Sequence, residues 1–156
     1  MISLTTTERG PNITDDDILS FERRYTLTLP AAYRSFLLAT NGGRPVRDIF
    51  PVRGLPGNPF GRVHLFFGLK DPVASCNLDW NIDIYSDRIS SDMIPIATTE
   101  GADKICLLVR GSTAGAVFYW DGYEHEGRES IMLLAPTFAE FVDNLSSDEN
   151  SPCQGA

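Results

Sequence analysis

Two apolar runs in the second half of the chain, Lys104–Val109 and Gly115–Trp120, are separated only by Arg110-Gly111-Ser112-Thr113-Ala114. A link that short closes a hairpin but cannot carry the crossover that parallel neighbours require. The two runs are therefore expected to pair antiparallel. Apolar side chains fill both alternations of the first run, Ile105, Leu107 and Val109 on one and Cys106 and Leu108 on the other. A strand of that kind belongs inside a sheet covered on both faces.

The flanking segments supply helices and further strands. Thr14 followed by Asp15, Asp16 and Asp17 reads as a helix start, because the hydroxyl accepts from an early N–H and carboxylates suit the positive end of the helix dipole. Ile18, Phe21 and Tyr25 then repeat at helical spacing. Pro30 opens a second helix with Tyr33, Phe36 and Leu37 on one side, and Asn41-Gly42-Gly43 ends it. From Arg44 to Gly61, four prolines and three glycines predict a long shaped loop without regular elements. Val63–Phe67 reads as a strand closed by Gly68, and Asn77, Leu78, Ile82 and Tyr85 predict a helix within 71–92. Ile94–Ala97 reads as a strand in which Pro95, lacking an N–H, is expected at an edge or at the first residue. Ile131–Leu134 is a last strand. Thr137 with Glu140 marks a capping box before Phe138, Phe141, Val142 and Leu145.

This order predicts an α+β fold, a mainly antiparallel sheet packed with flanking helices. Residues 1–146 are expected to form one domain and 147–156 a polar tail. No segment approaches the apolar length of a membrane helix, and Met1–Gly10 lacks the basic start and apolar run of a secretory signal, so a cytoplasmic location is expected. Cys76, Cys106 and Cys153 are odd in number and widely spaced, which predicts reduced thiols and neither a disulfide framework nor a zinc site. The formal charge of −8 repels phosphate backbones and anionic lipid, so no nucleic acid and no membrane are expected as partners. A protein partner is expected to present a basic surface. Arg44, Arg47, Arg53 and Arg62 form either a small positive patch or, more simply, scattered solvated arginines.

Catalytic chemistry has little to work with. His64 and His125 lie in no nucleophile motif, and no His or Cys spacing matches a metal site, so neither metal nor cofactor is expected. The simpler readings are a packed strand histidine for His64 and a solvated one for His125, within Asp121–Glu126. Gly101-Ala102-Asp103-Lys104 precedes a strand and reads as a turn, since a phosphate-cradling loop opens a helix. Trp120 fits the core, whereas Trp80 is the better candidate for an exposed anchor. Asp121, Glu124, Glu126 and Glu129 follow a strand and read either as a solvated charged hairpin or as a surface that meets a basic protein. Trp80 and these four carboxylates are the candidate partner-binding residues.

Several pieces in order carry a family resemblance: Leu29–Leu37 leading into Asn41-Gly42-Gly43; Phe66-Phe67-Gly68-Leu69; Ile94–Ala97 before Gly101; Lys104–Leu107; Gly115–Asp121; and Leu134-Ala135 before Phe138–Phe141. Their order and spacing over residues 14 to 146 resemble the SUKH superfamily. That group includes yeast cell-wall-assembly regulators of the Smi/Knr type and many bacterial immunity proteins. The resemblance implies an α+β fold without a shared catalytic apparatus, whose bacterial members commonly bind a polymorphic toxin delivered by neighbours. Three readings stay open: a toxin-neutralising binder, an interaction scaffold in an endogenous pathway such as cell-wall assembly, and an enzyme.

Overall fold

The structure, a computed structural model, describes residues 4–52, 60–122 and 131–147. The chain begins with a short strand β1 (Thr6–Thr7) and helix α1 (Asp15–Tyr25). Thr14 caps α1 as expected: its Oγ1 accepts from Asp17 N–H at 3.3 Å, and Asp17 Oδ2 accepts from Thr14 N–H at 2.9 Å. Lys70 donates to the other Asp17 oxygen at 3.0 Å. The backbone bond from Thr14, and then Lys70, hold the Asp17 carboxyl below its ordinary value.

Helix α2 (Ala31–Thr40) follows, with Pro30 at its cap. The turn between the helices is clamped by buried Glu22, which accepts from Leu29 N–H at 2.7 Å and from Arg34 at 2.8 Å. Asn41 ends α2 in the left-handed region, and Gly42 and Gly43 continue with φ of +85° and +106°. The buried Asn41 side chain donates to Pro11 O and Leu69 O and accepts from Leu69 N–H, each at 2.8 Å. A Cβ on Gly42 would lie 2.6 Å from Phe66 O. Asn41-Gly42-Gly43 thus does more than stop a helix, because it locks the end of α2 against Phe66-Phe67-Gly68-Leu69.

Strands β2 (Arg44–Pro45) and β3 (Ile49–Pro51) correct the expectation of a loop without regular elements between Arg44 and Gly61. Both are very short, and Pro51 ends a strand at the sheet edge, where the missing N–H costs no ladder bond. Residues 53–59, with Arg53, Pro56 and Pro59, lie outside the described residues. Next come β4 (Phe60–Phe66), a 3₁₀ turn (Ala74–Cys76), helix α3 (Leu78–Ile84), β5 (Met93–Thr99), β6 (Lys104–Leu108), β7 (Val117–Trp120), β8 (Ile131–Ala135) and helix α4 (Phe138–Asp143). Strands β3 to β8 form one six-stranded antiparallel sheet in sequence order, and β1 with β2 forms a small second sheet.

The hairpin that the short 110–114 link requires is present, with Lys104 opposite Trp120 and Leu107 opposite Val117. Pro95 departs from expectation, since β5 lies inside the sheet between β4 and β6. The ladder to β6 shifts register between Pro95 and Ala97, and such a bulge tolerates a residue that cannot donate. Ser146, the last residue of the expected domain, reaches back to the sheet edge. Its backbone forms an antiparallel bridge with Ile49, and it anchors the end of α4 to the sheet.

The sheet buries both faces around β6. Ile105 and Leu107 face the main core, where Tyr33, Phe36 and Leu37 of α2 meet Phe138, Phe141 and Val142 of α4. Rings interlock there, with Phe36 5.0 Å from Phe66 and Tyr33 5.1 Å from Phe138 between centroids. Cys106 points the other way into a smaller cluster with Ile89, Met93 and Trp120. Burial pushes its thiol up to about 12. The two-sided apolar pattern of β6 therefore corresponds to two cores.

Candidate functional site

The smaller core connects the two segments that the sequence singles out. Past α3, Tyr85 packs edge-on against Trp120 at 5.7 Å between centroids, and the Arg88 guanidinium lies 4.8 Å over the Trp120 ring. Arg88 also donates to Gly122 O at 2.8 Å. From the other side, Asp103 accepts from Gly122 N–H at 2.7 Å and from the Tyr119 hydroxyl. Burial, and then that bond to a carboxylate, push the Tyr119 hydroxyl up. A Cβ on Gly122 would lie 2.6 Å from Ala102 O, so glycine is needed where the chain leaves β7. Lys104 is buried, with Nζ near Thr98 Oγ1 at 3.4 Å and Ala102 O at 3.3 Å, and 5.0 Å over the Tyr85 ring. The Gly101–Lys104 turn is indeed a turn, and its role is to fix the root of the segment after β7.

Among the candidate residues, Asp121 belongs to this root and is only 5% exposed. It is a buried carboxylate at the end of β7. Glu124, Glu126 and Glu129, with His125, lie outside the described residues. Trp80 is 39% exposed, as its reading as an anchor requires, while Trp120 is buried.

Around Trp80 the outer stripe of α3 is apolar. Ile84, one turn further on, is 52% exposed. Asp79 and Asp83 flank this stripe and share Arg24 at 3.3 and 2.9 Å, and Tyr25 donates its hydroxyl to Asp83 at 2.9 Å. Beside α3 a cavity of about 160 Å³ opens between Tyr25, Ile82, Tyr85, Ile89 and Met93, with Arg110 at its rim. Arg110 donates to Tyr25 O at 2.8 Å and to Ser91 O, which ties the cavity wall to the hairpin turn. The cavity is lined by Ile82 and Tyr85 and not by Trp80 or Ile84; an exposed aromatic and an exposed aliphatic side chain one helical turn apart by themselves make a surface suited to anchoring a polypeptide. Ile84 and the cavity escaped the sequence reading, although the i, i+4 spacing of Trp80 and Ile84 was available as a signal.

Two of the four arginines that could form a patch, Arg44 and Arg62, are held in ion pairs, and Arg53 lies outside the described residues. Arg44 is bound to Glu8, and Arg62 to Asp48 at 3.1 Å and Glu100 at 3.5 Å. His64 is exposed, 3.5 Å from Arg44, where a packed position was the simpler expectation. It occupies the solvent side of β4, between inward-facing Val63 and Phe66 of the same strand. Among the described residues no helix is long and apolar enough to cross a membrane.

Comparison with known proteins identifies relatives. The model of the SMI1/KNR4 family (SUKH-1) matches residues 12–144. The SPbeta prophage-derived uncharacterized protein YokK of Bacillus subtilis (strain 168) is 35% identical over 153 residues, covering 88% of this chain and 77% of the relative.

Proposed function

The chain belongs to the SMI1/KNR4 family (SUKH-1), and we propose that it is an immunity-type protein that binds and masks a toxin polypeptide without turning it over. The observation that carries this reading is the outer face of α3, where Trp80 and Ile84 stand exposed one turn apart. Large apolar groups held on a helix against a rigid core are the usual centre of a protein interface. Family membership supports a toxin as the partner, since the family includes toxin-immunity proteins. The charge of −8 adds a sign: a toxin that works on nucleic acid presents cations to phosphate, and an acidic protein competes for them. Inhibition then requires only occupancy of the toxin's working surface.

The test is a calorimetric titration of this chain against any toxin domain found encoded beside its gene, with growth protection in cells expressing that toxin. Binding and protection are expected, without modification of either partner. Trp80→Ala with Ile84→Ala should weaken binding by about 2 kcal/mol, roughly thirtyfold, while the fold survives. Absence of binding to any neighbouring toxin, with firm binding to an endogenous regulatory protein, would replace immunity with the scaffold role.

A further inference from the structure

Carboxylates border the exposed stripe of α3. Side chains three and four residues apart on a helix are neighbours, so Asp83 lies beside Trp80, and Asp79 beside Asp83. The two carboxylates are 40% and 54% exposed, and both accept from one guanidinium, that of Arg24, at 3.3 and 2.9 Å. Tyr25 donates its hydroxyl to the second oxygen of Asp83 at 2.9 Å, whereas Oδ1 of Asp79 has no hydrogen-bond partner among the described residues. Two negative groups thus share one cation. The nearby cations are engaged elsewhere: Lys70, in the same hollow as Arg24 and Asp79, is held by Asp17 at 3.0 Å, and Arg88 lies over Trp120 and donates to Gly122 O.

In the free chain water solvates the surplus charge, and exposed ion pairs of this kind contribute little to stability. A partner seated on Trp80 and Ile84 changes that, because it excludes water from the border of the stripe as well. A carboxylate that loses its water without gaining a cation is strongly unfavourable. The face therefore selects by charge: a segment that brings a cation to Asp79 is accepted, and a neutral or acidic segment of the same shape is rejected. Arg24 shows which cation fits, since a planar guanidinium offers separate donors to two carboxylates at once.

On the basis of the docking role given to α3 above, we propose that its outer face takes a basic amphipathic segment of the partner polypeptide, whose apolar side chains cover Trp80 and Ile84 and whose arginine completes the Asp79–Asp83–Arg24 cluster at the open oxygen of Asp79. The two halves of the face have separate duties. Trp80 and Ile84 supply the buried area and hence the affinity, for any apolar segment. Asp79 supplies the discrimination between a basic segment and a neutral one.

Two synthetic amphipathic peptides, identical leucine-rich helices with either arginine or glutamine bordering the leucines, are titrated into the isotope-labelled full chain, and the Trp80 indole resonance reads binding. The arginine peptide is expected to bind at least about tenfold more tightly. Asp79→Asn leaves the Arg24–Asp83 pair in place and should reduce that preference below about threefold. Asp16→Asn removes the same charge from an exposed position of α1 and should leave the preference intact. Ile84→Ala should weaken both peptides alike, and thermal melts check that each variant is folded. Equal binding of the two peptides, a preference that survives Asp79→Asn, or no change at Trp80 with either peptide up to millimolar concentration overturns the proposal. No toxin enters this titration. A chain that shows the preference but binds no neighbouring toxin refutes the immunity reading alone, and a chain that binds and neutralises a toxin without the preference refutes this proposal alone.

Discussion

Phe36 and Phe141 are buried in the main core, Phe36 against Phe66 and Phe138 and Phe141 against Phe50. Truncating either ring to alanine is expected to cost about 3–5 kcal/mol in chemical denaturation, and stability near that of the parent would mean the core is drawn wrongly. Tyr33 makes the opposite case. It is fully buried among the same rings, but its hydroxyl has no hydrogen-bond partner, and burial pushes it up from its ordinary value. A buried hydroxyl without a partner is a cost to folding, so Tyr33→Phe should leave stability unchanged or raise it by about 1 kcal/mol in the same measurement. A loss above that size would mean that the hydroxyl is satisfied in solution. Periodicity alone announced the burial of Phe36, Tyr33 and Phe141. It could not announce that the Tyr33 oxygen has no partner or that Asp121 is buried, because each depends on groups distant in the chain.

Caps and turns of single elements were legible where the signal is local. Thr14 and Asp17 form the reciprocal box that opens α1, so Thr14→Ala should cost about 1 kcal/mol of stability. The lowered Asp17 carboxyl adds a pH dependence of definite sign. A group depressed on folding contributes stability above its unfolded value of about 4, and that contribution is lost as pH falls through the lower folded value. Thermal melts of the parent chain and of Asp17→Asn should therefore converge as pH drops below about 4, and a constant gap between them would reject the linkage. Pro95 shows why other elements were misread. Its lack of an N–H argued for an edge, yet a bulge removed the need for that donor in the middle of the sheet. The pairing of Ser146 with the sheet edge was illegible for a similar reason, since its partner Ile49 lies almost a hundred residues away along the chain.

Across the whole molecule the charge of −8 belongs to association more than to folding. Association with a basic toxin domain should slow as salt rises, and replacing Glu124, Glu126 and Glu129 by Gln should reduce that salt dependence while leaving the fold intact. Asp121 is left out of that set because, being buried, it would test the fold as well. Stopped-flow association rates at several salt concentrations decide it, and an unchanged salt slope would remove these three carboxylates from the encounter. The sequence by itself determined the α+β class, the β6–β7 hairpin, the capped helices and the family, because each rests on local periodicity, turn length or the order of short motifs. Tertiary structure alone decided what those motifs do for one another: Asn41-Gly42-Gly43 closes on Phe66–Leu69, and the Gly101–Lys104 turn holds the chain after Trp120. It also decided that Asp121 is buried, that a cavity opens beside Tyr85, and that β8 ends the sheet. Burial and edge position are set by which distant segments pack together, and a pattern read along one chain segment carries no record of its neighbours in space.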